Sequence, residues 1–278
     1  MLAAGHPAAR RWQKPSCHDD GMADDPAAPD PATPGPATPG PAPASPAPPR
    51  PADLLADRTP FPAGLGQRLH DQLTFLVEID QLKAVLRQSP LAAAARREND
   101  AEHSWHLALM VLVLAEYSDE PLDVGRTVEL VLLHDLVEVY AGDTPVYDAA
   151  AVTGQRDREL AAADRLFTLL PADQAAMLRA RWDEFEERRT PEARFAKAMD
   201  RLQPLLLNWM ARGGTWRSPG ITADDVRARK ALIGDASTEL GVAARQLIDE
   251  GERRGWSRPG ARLRAAPGPP GDGGPACG

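Results

Sequence analysis

The chain has 278 residues, a formal net charge of −8 and a pI near 5.3, which argues against a nucleic-acid-binding surface as its main activity. Its two cysteines, Cys17 and Cys277, lie near the two ends. A folded core therefore has no disulfide framework and no cysteine zinc site, and a reducing cytoplasm is the expected setting.

Residues 1–57 contain the run "DPAAPDPATPGPATPGPAPASPAPPRP", and fourteen of the 28 prolines fall in residues 1–51. Such a segment has too little apolar surface to offset its ordering entropy, so a disordered Pro/Ala-rich arm is expected. Residues 258–278 read as a short tail of the same kind, which leaves one domain over 58–257. The first residues lack the apolar run of a secretory leader. No uncharged apolar stretch approaches the roughly 18 residues of a membrane span.

Within the domain the apolar spacing is helical. Leu69, Leu73, Leu76, Ile79, Leu82 and Leu86 step by three or four, which predicts a first amphipathic helix with these side chains inward. "RQSPLAAAARREND" reads as a loop around Pro90. Asn99 and Glu102 have the spacing of a capping box for a second helix that turns Leu107, Met110, Val111 and Leu114 inward. A third helix is predicted from about Asp123 through Tyr140, stopped by Gly142. Further helices are expected at about 151–169, 172–188, 191–213, 222–233 and 235–254, with Thr190-Pro191 as N-cap and first residue of the third of these, 191–213. No period-two strands stand out, so the domain reads as all-α.

"LVLLHDLVEVYAGDTPVYD" places His134, Asp135, Glu138 and Asp143 in an otherwise apolar stretch. Unpaired buried carboxylates are costly and commonly sit on a cation. Adjacent residues on a helix differ by about 100° and rise only about 1.5 Å, so His134 and Asp135 can reach one ion from neighbouring angles. His103, from the second helix, is the candidate third ligand. Asp200, beside the buried stripe of "ARFAKAMDRLQPLLLNW", is the candidate fourth. Such a nitrogen and oxygen set suits a divalent metal.

This H…HD…D pattern resembles the signature of the HD-domain metal-dependent phosphohydrolases, in particular the 5′-deoxynucleotidases. "RRENDAEHSWHLALM" is similar to that family's R-x-E-N-x-x-E-H segment, "HDLVEVYAGDTPVYD" to its H-D-x-x-E-x-x-x-G-D-x-P segment and "KAMDRLQPLL" to its K-x-x-D-x-L segment. The resemblance covers roughly residues 69–215. It implies an all-α HD-domain helical bundle holding one divalent ion of the Co, Mn, Mg or Zn class on His103, His134, Asp135 and Asp200. It also implies Glu138 as the group working on the attacking water, and Asp143 as an orienting carboxylate for water or leaving group. The family's phosphate-binding arginine falls on Gln88 here, which makes neighbouring Arg87 the first candidate for substrate binding, with Arg96 and Arg97 in reserve. His106 reads as an outer or core histidine, and Trp105 as packing.

No histidine follows residue 134, unlike the binuclear HD phosphodiesterases, and Val139 follows Glu138 where stringent-response hydrolases resemble H-D-x-x-E-D. The implied substrate is a small phosphomonoester, a nucleoside or deoxynucleoside 5′-monophosphate, with no nucleic-acid or membrane partner and a homodimer as the implied assembly. An HD hydrolase of another phosphorylated metabolite, and a non-catalytic binding module, stay open alternatives.

Overall fold

A computed structural model describes residues 61–62, 64–92, 95–143 and 154–260. The expected arm, almost all of the expected tail, and the start of the helix expected from residue 151 lie outside the described residues.

The described residues form nine α-helices: α1 (Gln67–Ile79), α2 (Asp100–Leu114), α3 (Val124–Leu133), α4 (Glu138–Ala141), α5 (Gln155–Phe167), α6 (Ala172–Glu187), α7 (Pro191–Met210), α8 (Ala223–Lys230) and α9 (Thr238–Arg253). The all-α expectation holds, with one addition. Leu86–Pro90 (β1) and Arg97–Asn99 (β2), part of the expected loop, pair antiparallel, with Leu86 opposite Asn99 and Pro90 opposite Arg97. The ribbon is short and irregular, so it leaves no alternating pattern to read. No described helix is long and apolar enough to cross a membrane.

Local chemistry sets the helix starts. Asn99 accepts from the Glu102 amide at 2.9 Å while the Glu102 carboxylate accepts from the Asn99 amide at 3.1 Å, completing the capping box of α2. Thr190 caps α7 through the Ala193 amide at 3.1 Å, with Pro191 in the first turn. Pro204 lies inside α7 and has no N–H to offer the carbonyl of Asp200, one turn earlier.

Two apolar clusters build the core. One joins α2, α3, α7 and α9 through residues such as Leu107, Val131, Phe195, Met199 and Ile248. The other gathers Phe75, Leu82, Leu136, Leu166, Phe167 and Trp182. The first helix departs from its expected orientation. Phe75 is buried with Leu82, whereas Leu69, Leu76 and Leu86 are exposed. The helix carries two apolar lines, and the larger aromatic ring takes the inner one. Beside it Glu78 is buried and accepts a hydrogen bond from the Tyr140 hydroxyl.

The third predicted helix is divided. α3 ends at Leu133, residues 134–137 form a turn, and the short α4 begins at Glu138. In an unbroken helix the His134 carbonyl would accept from the Glu138 amide. Instead the Glu138 amide donates to Asp135 O at 2.9 Å, and the Trp182 indole N–H donates to His134 O at 3.1 Å. On either side of the turn the chain feeds different cores: Leu130 and Val131 join the first cluster, Leu136 and Val137 the second.

After α7 the chain turns at Gly213, whose φ is +110°. A Cβ at this position would collide with the Trp256 carbonyl oxygen. Gly213→Ala is therefore expected to cost more than about 1 kcal/mol, read as a lowered denaturation midpoint, and an unchanged midpoint would refute the tight approach.

Candidate metal centre

Three segments converge where the two clusters meet. His103, in the first turn of α2, is wholly buried, and the capping box fixes the turn that carries it. His134 and Asp135 stand on the turn after α3, and Asp200 lies midway along α7. His103 Nε2 is 3.3 Å from Asp200 Oδ1, and His134 Nε2 is 3.9 Å from the same oxygen. Nitrogen atoms of both histidines and an oxygen of Asp200 all lie within 4.8 Å of one another. Asp135 completes the group, with Oδ1 3.0 Å from His134 Nε2 and Oδ2 3.9 Å from His103 Nε2. The four residues singled out from the sequence are thus brought together.

Their hydrogen bonding fits a cation. His134 Nδ1 lies 2.8 Å from the Val131 carbonyl, an acceptor only, so this nitrogen carries a proton; burial opposes charge on the ring, the neighbouring Asp135 raises its pKa, and in the neutral ring Nε2 offers its lone pair to a cation. Nε2 of His134 is buried with no well-aligned hydrogen-bond partner among the described residues. Two imidazole nitrogens and two carboxylates facing one point form a donor set for a divalent transition metal. Burial lowers the pKa of His103 to about 4, with Arg87 adding to the effect, so the ring is neutral and able to ligate at physiological pH. For Asp200, burial works against ionisation, but Lys197 at 3.2 Å from Oδ2, together with Arg201, holds the carboxyl well below its ordinary range. Asp135 is treated alike: burial opposes its charge, and His134 and Arg87 more than restore it.

A second carboxylate group adjoins the first. Oxygens of Asp100, Asp135 and Glu138 lie within 4.8 Å of one another. Burial, then the charge of Asp135, raises Glu138 well above its ordinary value. Burial and Asp135 likewise push Asp100 up to about 6. Asp143 follows Gly142, whose φ of +73° ends α4 and turns the chain. Burial raises Asp143, while Arg87 and Arg97 pull the other way and Asp135 and Asp200 add to the rise, which places this side chain in the field of the same site.

The arginines divide. Arg87 enters the centre from β1, but its Nη1 donates to Asp100 Oδ1 at 3.0 Å and Asp135 Oδ2 at 2.9 Å, so it is engaged by carboxylates. Arg97 is exposed on β2 and acts on Asp143 through its charge. Arg96 is held by a two-pronged contact with Glu102 outside the centre. Trp105, read as packing, is largely exposed.

Several residues of the site were missed. Lys197 and Arg201 flank Asp200 on α7, and the three-residue step from Lys197 to Asp200 is a signal that was present. Lys230, from α8, donates to the Arg201 carbonyl at 2.6 Å, and burial brings its pKa down to about 7; nothing in the local sequence marks it. Glu98 and Gln203 are buried beside His103. A lone glutamine inside an apolar stripe carries no periodic signal.

Comparison with known proteins agrees with this arrangement. Residues 79–240 match the family model described as "HD domain". The chain is 31% identical to the 5′-deoxynucleotidase HDDC2 of Bos taurus over 153 residues, covering 55% of this chain and 73% of that protein. It is 31% identical to the protein of that name from Homo sapiens over 142 residues, covering 51% and 68%. A crystal structure described as a predicted metal-dependent phosphohydrolase from Magnetospirillum magnetotacticum MS-1 superposes with a TM-score of 0.66 at 51% identity, covering 69% of this chain and 97% of that one. With a family match across more than half its length, on a fold that gathers the H…HD…D residues at one point, the chain belongs to the HD-domain family.

Proposed function

We propose that this HD-domain phosphohydrolase removes the phosphate of a nucleoside 5′-monophosphate, with deoxynucleotides as its preferred substrates. The observation that carries the reading is the convergence of His103, His134, Asp135 and Asp200 beside the buried Glu138. The substrate class is supported by relatives that are themselves 5′-deoxynucleotidases. A cytoplasmic setting suits such a substrate.

His103, His134, Asp135 and Asp200 would hold a divalent ion, which when bound would supply Lewis-acid charge to water and phosphate. Glu138 takes the proton of the attacking water as its oxygen bonds to phosphorus and the bond from phosphorus to O5′ breaks. Asp143, whose protonated form is favoured by burial, donates to the departing nucleoside oxygen. Lys197 and Arg201 add positive charge on the Asp200 side. Arg87 serves substrate if phosphate competes with Asp100 and Asp135 for its guanidinium; until then it offsets the charge of those carboxylates. Arg97 is the outer candidate for the same task.

We propose also that the chain forms a homodimer through α2. Trp105, Leu109, Leu112 and Val113 follow one another at helical spacing, and Trp105, Leu112 and Val113 are 62%, 60% and 67% exposed. An apolar stripe of this kind is a common mark of an interface.

Purified protein supplied with Co²⁺ or Mn²⁺ is expected to release phosphate from deoxynucleoside 5′-monophosphates and to stop when a chelator is added. Release from no nucleotide in the panel would overturn the substrate assignment. Glu138→Gln is expected to lower kcat by about 10²-fold or more while metal content stays at the wild-type level; full activity in this variant removes Glu138 from the proton transfer. Leu112→Glu combined with Val113→Glu is expected to convert a dimer into a folded monomer by light scattering, and a monomeric wild type would refute the interface.

A further inference from the structure

We propose that Gln203 is a positioning residue for the metal centre: its side-chain amide fixes the tautomer and ring direction of His103, and Glu98 fixes that amide. The proposal rests on the metal-dependent reading above. Gln203 Oε1 is 3.1 Å from His103 Nδ1, and Gln203 Nε2 donates to Glu98 Oε1 at 2.5 Å. All three side chains are buried. An amide oxygen has no hydrogen, so in this pair Nδ1 must be the donor. A proton on Nδ1 leaves Nε2 with its lone pair, and Nε2 is the atom 3.3 Å from Asp200 Oδ1.

An amide can be turned end for end, and Glu98 decides which way it stands. A reversed amide would set its oxygen against a carboxylate oxygen of Glu98, acceptor to acceptor, and would press its NH₂ group on the Nδ1 proton. In the observed orientation both amide hydrogens are placed, one on Glu98 and the other toward His106 Nδ1 at 3.3 Å. Glu98 Oε2, in turn, is 3.8 Å from Arg87 Nε and 3.7 Å from His103 Nδ1. Gln203 also lies three residues beyond Asp200 on α7. One helix face therefore supplies a ligand and the support of a second ligand on another helix.

The two histidines are held by different means. His134 leans on a main-chain carbonyl, which no substitution can delete. His103 leans on a side chain, so its support alone can be removed by mutation. Partners of this type on ligating histidines typically govern metal affinity by about 10–100-fold.

The test is Gln203→Met, which keeps the length and removes the oxygen. Co²⁺ affinity is measured by competition with a chromophoric chelator, the visible absorption of the cobalt form is recorded, and the melting temperature is taken in EDTA. Gln203→Met is expected to weaken Co²⁺ binding by about 10–100-fold and to alter the cobalt spectrum. Gln203→Glu combined with Glu98→Gln, which keeps an oxygen facing Nδ1 and restores a donor beside it, is expected to recover most of the affinity. Wild-type Co²⁺ affinity and spectrum in Gln203→Met, with only the metal-free melting temperature lowered, would show a purely structural role and overturn the proposal. If Gln203→Met does not fold, Glu98→Met, which removes the acceptor for the Gln203 amide, reads the same relay one step further out: a several-fold loss supports it and unchanged affinity overturns it. Wild-type protein that binds no Co²⁺ overturns the metal reading itself, an outcome separate from a wild type and a Gln203 variant that bind alike.

Discussion

The structure depends on the cost of keeping charge away from water. His103, His134, Asp135 and Asp200 are all buried, and Asp100, Glu98 and Glu138 crowd against them. An isolated carboxylate moved into such surroundings loses several kcal/mol of solvation, so each must meet a cation, a donor or a proton. The protein uses cations and donors: Arg87 bridges Asp100 and Asp135, Lys197 meets Asp200, and Gln203 meets Glu98. Among the buried atoms these devices leave without an aligned partner is His134 Nε2, which lies with nitrogen and oxygen atoms of His103 and Asp200 around one point.

The frame exists to hold those groups at that point. α2 is fixed at its first turn by a capping box and α7 by a threonine cap, so His103 and Asp200 ride on helices with defined starts. The turn bearing His134 and Asp135 is fixed differently, by the Trp182 indole on a main-chain oxygen and by a change of core from one side to the other. A continuous helix would keep its own hydrogen bonds and would also put Glu138 on the face of Asp135; with the break, oxygens of Glu138, Asp100 and Asp135 lie within 4.8 Å of one another.

Much of this was legible in the residues, and the reasons differ from case to case. Thr190-Pro191 and Asn99 with Glu102 mark helix starts because caps act over three or four residues, a range a local reading covers. The candidate ligands were legible because charged residues in apolar surroundings need explaining, and because their spacing resembles a known family. The orientation of α1 was not, because its two apolar lines compete and only the partner helices decide between Phe75 and Leu76. The break after Leu133 was hidden because its cause, Trp182, lies 48 residues away. Gln203, Glu98 and Lys230 were hidden for a similar reason: a neutral amide or a single charge has meaning only once its distant partner is in place. Arg87 was found but its partners were not, since carboxylates from α2 and from the turn after α3 reach it only in three dimensions.

The split of the HD turn between two apolar clusters has an effect on how such a protein can change over generations. Leu166 and Trp182 pack the cluster into which Leu136 and Val137 are set, immediately after His134 and Asp135. A replacement there that relaxes the packing shifts the carboxylate and imidazole relative to α2 and α7, which belong to the other cluster. Adaptation to heat or cold at those distant positions is thus felt as altered turnover, and the catalyst can be retuned by drift in helices that never meet its chemistry.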